Sequence, residues 1–354
     1  MPSISAPARF LVTGVNGYVG AHVAKDLLDR GFIVVGTVRS SVKGGDIAKY
    51  FKHYGDRFSY VVAQDMSEPG AFDSIINTGN FDGVAHTAAP IPSSAAISAT
   101  KGPPKDMFNA AIEGMLNVLE SIQNYGHSVK RLIFTSSTLA ALQSEPGVVH
   151  NETHWNDEVV KHVQERGEEV TDLERYMASK CLSERAAWKF MEDNKNRLAF
   201  DLVTVLPTAI IGAPVNDDMP HGQLESSNRL FDGLKSFRSD SQLLEIWSAI
   251  VHVKDVAALH SEAFLQPGAA GRRLFAVGAN PSWQDIYDYL NEDPPFPGVP
   301  RGNPGVGKRS DTESSEWDMA CPRFLLGRSM TGAKQTIRET AKYYQQRGWE
   351  FTVA

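Results

Sequence analysis

Thr13-Gly-Val-Asn-Gly-Tyr-Val-Gly20 decides the fold of this chain, because it joins a short apolar run to an amphipathic helical pattern. Arg9–Thr13 predicts a buried strand, and residues 21–30 predict a helix that ends at Gly31. Residues 32–38 predict a second buried strand, which completes a βαβ unit with a glycine turn at its first corner.

The glycines of this turn are spaced GxxGxxG, a pattern that is weak when it stands alone. Between a strand and a helix, however, they allow a tight turn and direct backbone N–H groups towards a pyrophosphate at the positive end of the helix. The stretch therefore predicts dinucleotide binding. Its candidate cofactor residues are Gly14, Asn16, Gly17, Tyr18 and Val19.

Strand patterns alternate with helical patterns along much of the remaining chain. This alternation predicts an α/β fold, a Rossmann-type doubly wound parallel sheet. The further predicted strands are Phe58–Val62, Gly83–His86, Arg131–Thr135, 201–206 and 273–277, and the further predicted helices are 71–76, 105–124, 173–194, 224–234 and 255–265.

The regular alternation weakens after Leu206, where Pro and Gly interrupt the chain. We expect residues 1–208 to form the cofactor-binding Rossmann domain, with residues 250–280 returning to it. Residues 209–249 and 281–354 are expected to form mainly a smaller C-terminal substrate lobe. Residues 291–307 are too rich in Pro and Gly for regular structure, and 291–316 could be either a disordered linker or an ordered substrate-side loop.

Composition indicates a globular chain with a large core. The 354 residues are 42% hydrophobic and carry a net charge of -7, which argues against nucleic acid or an anionic membrane surface as a partner. The two cysteines make neither a disulfide framework nor a metal cluster, and no metal site is expected. Without a signal-peptide pattern or a long apolar segment, the expected location is cytoplasmic.

The end of the second predicted strand bears on which dinucleotide is bound. An acidic residue at this place selects NAD, whereas cations suit the 2′-phosphate of NADPH, and the residues here are Arg39, Ser40 and Lys43. We therefore expect NADPH, although a solvated loop with two incidental cations is the simpler reading. Asp65 and Met66 follow the third strand and could contact adenine, or Asp65 could cap the next helix.

Two stretches supply candidate catalytic groups. Tyr176 and Lys180 lie four residues apart and share one helical face, so the cation could lower the pKa of the phenol towards a range useful for proton transfer. The strand Arg131–Thr135 runs into the hydroxyl series Thr135 to Thr138, at the edge of the sheet where ligands bind. One hydroxyl could bind a carbonyl oxygen, while Ser136 and Thr138 fit turn chemistry better.

The order of the three motifs resembles the extended short-chain dehydrogenases/reductases: the glycine turn, then Thr135-Ser-Ser137, then Tyr176-Met-Ala-Ser-Lys180. Gly36-Thr-Val-Arg-Ser40 and Ala85-His-Thr-Ala-Ala-Pro90 look more specifically like the fungal NADPH-dependent carbonyl or aldehyde reductases. Those fungal reductases are related to yeast methylglyoxal reductase and to the plant dihydroflavonol 4-reductases.

The resemblance implies a Rossmann sheet with a small substrate lobe, and it implies Ser137, Tyr176 and Lys180 as catalytic residues. It also implies cofactor contacts beyond the glycine turn and the cations, from Thr87, Ala88, Ala89, Thr135, Tyr176, Lys180, Pro207, Ala209 and Ile210. Two departures stand out. Ala89 replaces a serine common in the family, and the family's fourth catalytic residue, an asparagine, has no clear match at Asn109 or Ala111.

The leading hypothesis is reduction of a small aldehyde or ketone by hydride from NADPH, with Tyr176 as proton donor. One alternative is a sugar-nucleotide epimerase or dehydratase, which Arg39 argues against because such enzymes usually hold NAD. Another is a non-catalytic NADP(H)-sensing protein, which the Tyr-Lys pair argues against. Asp255 is expected to cap a helix, the protein to be a monomer or homodimer, and the apolar substrate-lining candidates are Ile91, Pro92, Leu139, Phe231 and Trp247.

Overall fold

The computed structural model describes residues 4, 6–88, 104–145, 147–215, 224–304, 306 and 317–351, without the side chains of 104–107, 168 and 225. Its strands are β1 Arg9–Thr13, β2 Ile33–Val38, β3 Phe58–Val62, β4 Gly83–His86, β5 Arg131–Thr135, β6 Asp201–Pro207, β7 Ala209–Ile211, β8 Ile250–His252 and β9 Arg273–Ala276. Its α-helices are α1 Tyr18–Asp29, α2 Ser41–Tyr50, α3 Asp73–Gly79, α4 Pro104–Tyr125, α5 Asp157–Arg166, α6 Asp172–Asn194, α7 Glu225–Gly233, α8 Asp240–Leu243, α9 Val253–Leu265, α10 Trp283–Asn291, α11 Ala320–Leu326 and α12 Ala333–Gln346.

Seven strands form a parallel sheet in the order β3-β2-β1-β4-β5-β6-β9. The chain moves outward from β1 to β2 and β3, then crosses to β4 on the other side of β1, so the strand order reverses between β1 and β4. Ligands of such sheets bind at this reversal, beyond the carboxyl ends of the strands. The predicted Rossmann-type doubly wound fold is confirmed. A separate pair, β7 and β8, is also parallel.

Alternate side chains of β1 pack on opposite faces of the sheet. Phe10 and Val12 belong to the core under α1 and α9, where Phe10 lies 4.5 Å from the ring of Phe264. Leu11 belongs to the core under α4, together with Met115. Burial of each such side chain contributes about 1.5–3 kcal/mol, so the strand is held between two helical layers.

The long helix α6 has a strongly defined start. The side chain of Thr171 accepts a hydrogen bond from the Glu174 amide (3.3 Å), and the Glu174 carboxylate accepts one from the Thr171 amide (2.7 Å). This capping box satisfies two amides that the first turn would leave unpaired. It fixes the beginning of the helix that carries Tyr176 and Lys180.

The structure corrects two expectations drawn from the sequence. The alternative reading of Arg39, Ser40 and Lys43 as a solvated loop is wrong at Lys43, because Ser41–Tyr50 form the helix α2. Asp255 is not a helix cap, because α9 starts earlier: His252 is its N-cap and accepts from the Lys254 amide (3.1 Å). Asp255 instead accepts from the Thr331 amide at 2.6 Å.

Residues 292–304 contain neither helix nor strand, as their Pro and Gly content predicts. Asn291 donates to the Pro300 oxygen (2.9 Å), and Gln284 accepts from the Asn303 amide (2.8 Å), so hydrogen bonds attach this segment to α10. Most of the remainder of 291–316 lies outside the described residues. Among the described helices, none is long and apolar enough to cross a membrane.

Candidate active site

The glycine turn has the geometry of a phosphate-binding corner. Gly14 has φ +66°, and a Cβ there would lie 3.1 Å from the Cα and Cβ of Ala88. A Cβ on Gly20 would lie 2.5 Å from the Gly14 oxygen and 2.7 Å from Thr87 Oγ1. Gly17 is the N-cap of α1, whose first turn contains no acidic residue. The amide end of this helix is therefore open to an anion such as a pyrophosphate.

The end of β4 forms the facing wall of this corner. Thr87 Oγ1 donates to the Thr13 oxygen (2.6 Å), and the Ala88 amide donates to Thr13 Oγ1 (3.1 Å). Thr13 Oγ1 also lies within hydrogen-bond distance of His86 Nδ1, at 3.0 Å. Burial, followed by the charge of Lys180, lowers the pKa of His86 to about 3, so this histidine stays neutral. Ala89 lies outside the described residues.

Three other predicted residues of the turn lie at the start of α1, where Asn16, Tyr18 and Val19 are all partly buried. The Tyr18 hydroxyl donates to the Gly212 oxygen (2.8 Å), and His22 Nε2 donates to the Ala213 oxygen (3.0 Å). Burial raises the pKa of Tyr18 well above its ordinary value, which keeps the phenol protonated as a donor. These two bonds tie the turn to the segment after β7.

The predicted cations stand exposed at the carboxyl end of β2. Arg39 follows the strand and Lys43 lies in the first turn of α2, and within the described part of the chain neither makes an ion pair. The side chain of Ser40 caps α2 by accepting from the Lys43 amide (3.4 Å). Two cations and a helix N-terminus without acidic residues can together bind a phosphate.

Asp65 and Met66 follow β3 beside these cations. Asp65 Oδ1 accepts from the amide (2.9 Å) and hydroxyl (2.6 Å) of Ser67, and α3 begins only at Asp73, so the alternative that Asp65 caps the next helix is wrong. The Ser67 bonds and then the charge of Arg39 lower the pKa of Asp65. Asn117 holds the segment by donating to the Met66 oxygen at 2.9 Å.

Tyr176 and Lys180 lie one turn apart on α6, at the carboxyl end of β5. Lys180 is 7% exposed, and its Nζ donates to the Thr135 oxygen (3.2 Å). Burial lowers the pKa of Lys180 to about 8, while the carboxylate of Glu184 opposes the shift. Tyr176 is only partly buried. The arrangement places a buried cation close to a phenol that a substrate could reach.

The three hydroxyls after β5 have different partners. Ser136 Oγ donates to the Glu184 carboxylate (2.7 Å), and Thr138 Oγ1 donates to the Pro207 oxygen (3.3 Å). Ser137 Oγ instead accepts from the Leu139 amide (3.2 Å), so that bond does not consume its proton. Ser137 is therefore the hydroxyl of this series that can still donate to a substrate oxygen.

Thr135, Pro207, Ala209 and Ile210 complete the predicted set at this edge of the sheet. Thr135 Oγ1 lies 2.8 Å from Nε2 of the buried His260, whose Nδ1 donates to the Val256 oxygen (2.7 Å). Pro207 ends β6, and Ala209 and Ile210 pair with β8. Among the substrate-lining candidates, Phe231 is fully buried, with its ring centre 4.8 Å from that of Tyr344, so it belongs to the core. Ile91 and Pro92 lie outside the described residues.

Sequence reasoning missed the supporting residues Thr13, His86, Glu184 and His260. Glu184 offered a signal, since it lies four residues after Lys180 and so shares its helical face. The others bond across 73 to 125 residues of sequence and left no such signal. The described residues contain no cluster of His, Cys, Asp or Glu that could hold a metal ion.

A βαβ corner shaped for a pyrophosphate, together with a Tyr-Lys pair beside a serine, defines a dinucleotide-dependent enzyme. The model of the NAD dependent epimerase/dehydratase family matches residues 10–278, and the chain belongs to this family. The resemblance to extended short-chain dehydrogenases/reductases is thereby confirmed.

Individual relatives cover nearly the whole chain. The NADPH-dependent methylglyoxal reductase GRE2 of Saccharomyces cerevisiae is 30% identical, over 93% of this chain and 96% of its own. Aldehyde reductase 2 of Sporidiobolus salmonicolor is 32% identical, over 94% of this chain and 93% of its own. The crystal structure of yeast methylglyoxal/isovaleraldehyde reductase Gre2 complexed with NADPH superposes with a TM-score of 0.79 at 28% identity, covering 96% of this chain and 99% of that one.

Proposed function

We propose that this protein is an NADPH-dependent carbonyl reductase that converts an aldehyde or ketone to the alcohol. The observation that carries the proposal is the placement of Tyr176 and the buried Lys180 on α6 beside Ser137. This group lies at the same edge of the sheet as the glycine turn. It would bring a proton donor, a cation and a hydroxyl to the place where the fold binds a dinucleotide.

The residues present fit NADPH. Gly14 and Gly20 allow the turn and the start of α1 to pack closely against Ala88 and Thr87, which keeps the corner tight, and Arg39 and Lys43 supply positive charge for a 2′-phosphate. Gly17 and the first amides of α1 would hold the pyrophosphate, and Asp65 and Met66 would contact adenine. Thr87, Ala88 and residues 207–210 would line the nicotinamide half. When bound, NADPH supplies the hydride.

Side chains of the protein bind and protonate the carbonyl oxygen of the substrate. Ser137 Oγ donates a hydrogen bond to the carbonyl oxygen and stabilises the negative charge that develops there. Tyr176 gives its phenolic proton to that oxygen as the alcohol forms. Lys180, held by the Thr135 oxygen, keeps a positive charge next to the phenol and favours loss of its proton.

The relatives favour this reaction over the alternatives. The names of the two relatives above and of the ketoreductase azaE of Aspergillus niger, which is 31% identical, describe carbonyl reductases, whereas an epimerase or dehydratase would act on a sugar nucleotide. Arg39, in the position where an acidic residue would select NAD, supports the same choice. Retention of both Tyr176 and Lys180 argues against a non-catalytic sensor.

We further propose that residues 209–249 and 281–354 mainly form the substrate lobe against a cofactor domain of residues 1–208 and 250–280. Leu139, partly buried next to Ser137, would contact the substrate at that boundary. A cytoplasmic location, where the free thiols Cys181 and Cys321 stay reduced, and a monomer or homodimer complete the proposal. Cell fractionation and the mass in solution test these last two points.

The deciding experiment is an NADPH-oxidation screen over aldehydes, diketones, keto esters and aryl ketones, repeated with NADH. We expect turnover of at least one carbonyl class with NADPH, and a marked preference for NADPH over NADH. Tyr176→Phe is the matched control and should lose about 100- to 10,000-fold in kcat, because it removes only the donated proton. Turnover by Tyr176→Phe at the unsubstituted rate contradicts the mechanism.

A further inference from the structure

The carboxylate of Glu184 is fully buried, although it takes no part in the proposed chemistry. It lies on α6 one turn beyond Lys180 and two turns beyond Tyr176. Burying a carboxylate is costly unless it is paired and hydrogen-bonded. Glu184 meets this requirement with bonds from Ser136 Oγ (2.7 Å), Thr204 Oγ1 (2.8 Å), Arg273 Nε (2.7 Å) and Nη2 (3.1 Å), and Trp188 Nε1 (3.3 Å).

Two of the contacts between α6 and the end of β5 lie side by side. Lys180 Nζ donates to the oxygen of Thr135, and one turn later Glu184 accepts from the hydroxyl of Ser136. The next residue of the strand end is Ser137. The position of Ser137 relative to the helix that carries Tyr176 therefore depends on these two adjacent bonds.

Arg273 holds the carboxylate in place from the other side. Its Nη1 donates to the main-chain oxygens of Glu152 (3.1 Å) and His154, and its guanidinium lies 3.8 Å from the ring centre of Trp155. Arg273 belongs to β9, while Thr204 belongs to β6 and Ser136 follows β5. Hydrogen bonds to Glu184 thus connect α6 to three neighbouring strands, β5, β6 and β9.

We propose that Glu184 is a positioning residue for the reduction, which acts through Ser136 and Lys180 to set the distance between Ser137 and Tyr176. The inference rests on the proposed function. The Glu184 carboxylate is fully buried and bonded to protein groups, so its effect on the reaction would be indirect. Displacements of about 1 Å between reacting groups can cost roughly 100-fold in rate, so loss of these bonds should lower kcat more than it changes binding.

Glu184 also acts on the charge of Lys180. Burial lowers the pKa of Lys180 to about 8, and the carboxylate of Glu184 raises it. Of the other titratable groups near Lys180, Tyr176 shares its helix, and His86 on β4 is neutral because burial lowers its pKa to about 3. A Glu184→Gln variant keeps the charge of Arg273 and loses the carboxylate, so the pKa of Lys180 should fall further.

The test compares Glu184→Gln with Asp201→Asn. Asp201 forms a partly buried ion pair with the buried Arg131 (2.5 Å), and it joins the same strands β5 and β6 at their opposite ends. Both variants should unfold at lower temperature than the unsubstituted protein. Only Glu184→Gln should lose about 100-fold in kcat with little change in KM, and only its alkaline limb in the pH profile of kcat/KM should move to lower pH.

Two further variants separate geometry from charge. Ser136→Ala should lower kcat without moving the alkaline limb, and it keeps the test open if Glu184→Gln does not fold. In Glu184→Asp, the alkaline limb of the kcat/KM profile should lie at the same pH as in the unsubstituted protein, because this variant retains a carboxylate. Suppose that the unsubstituted protein reduces carbonyl compounds. The inference about Glu184 is then wrong, and the proposed function stands, if Glu184→Gln keeps both kcat and the alkaline limb of the kcat/KM profile, or if Ser136→Ala keeps full kcat. Absence of NADPH oxidation in the unsubstituted protein overturns the proposed function and this inference together.

Discussion

Lys180 Nζ donates a hydrogen bond to the main-chain oxygen of Thr135 over 3.2 Å, which places a nearly buried ammonium at the end of β5. Its positive end also lies 5.6 Å from the ring centre of Phe134. The carbonyl oxygen and the ring face both favour the protonated amine, and burial opposes it. The balance of these effects makes the charge of Lys180 sensitive to pH close to the physiological range.

The first prediction concerns this charge. Burial lowers the pKa of Lys180 to about 8, so the ammonium is present below that pH and lost above it. We expect kcat/KM for carbonyl reduction to fall as the pH rises through about 8. In Lys180→Arg the limb should move to higher pH, since guanidinium keeps its proton. Lys189→Arg, at an exposed position of the same helix, is the control and should leave the pH profile unchanged. A kcat/KM that stays constant from pH 7 to 10 would refute the role of the Lys180 charge.

Ser137→Ala is predicted to lower kcat/KM by about 100- to 1,000-fold, because a donor to the developing oxyanion is removed. The free energy of unfolding should fall by about 0.5–2 kcal/mol, since Ser137 Oγ caps the short turn Thr138–Ala140 by accepting from the Leu139 amide. Ser128→Ala is the matched control: that hydroxyl donates to the Phe81 oxygen (2.7 Å) near the opposite end of β5. Steady-state kinetics of both variants decide the point, and equal activities would remove Ser137 from the mechanism.

Arg39→Ala is predicted to weaken NADPH binding by about 10- to 100-fold while leaving NADH binding almost unchanged, because a charge-assisted bond contributes about 1.5–3 kcal/mol. Titration of cofactor fluorescence measures both affinities. Lys49→Ala is the control: Lys49 lies in α2, the helix that follows Arg39, and already pairs with Asp46 at 3.1 Å. Parallel losses for NADPH and NADH would show that Arg39 does not recognise the 2′-phosphate.

Gly20→Ala is predicted to impair both folding stability and NADPH affinity. Its added Cβ would lie 2.5 Å from the Gly14 oxygen, so α1 must move away from the glycine turn. Gly45→Ala is the matched control in α2, because a Cβ there meets no atom within 4 Å. It should raise the free energy of unfolding by about 0.5–1 kcal/mol. Thermal unfolding with and without NADPH compares them, and normal affinity in Gly20→Ala would contradict the assigned corner.

The sheet could be predicted because its determinants are local. Each strand of the main sheet is a short apolar run beside a turn or helix pattern, and the predicted ends agree with the structure to within one residue. Helix α2 was missed because Gly44-Gly45 suggests a loop. Gly44 is needed there for packing: a Cβ would lie 2.2 Å from the ring of Tyr60.

The catalytic residues could be proposed from spacing, since Tyr176 and Lys180 share a helical face whatever the rest of the chain does. Their supports could not be predicted in the same way. Glu184 meets Ser136 across 48 residues and Arg273 across 89, and His260 meets Thr135 across 125. Only the folded sheet brings these partners together, so the sequence showed that Glu184 shares a helical face with Lys180 but not which groups Glu184 would bind.

The bonds from Tyr18 and His22 to the oxygens of Gly212 and Ala213 bear on how such proteins diverge. Both acceptors are main-chain atoms, so the side chains that follow β7 are not needed to hold the start of α1. Gly212 itself is constrained, with φ +153° and a neighbour, Val253, that leaves no room for a Cβ. A different loop after Ala213 could therefore alter which carbonyl compounds are accepted, while the glycine turn and the start of α1 keep their position for binding the dinucleotide.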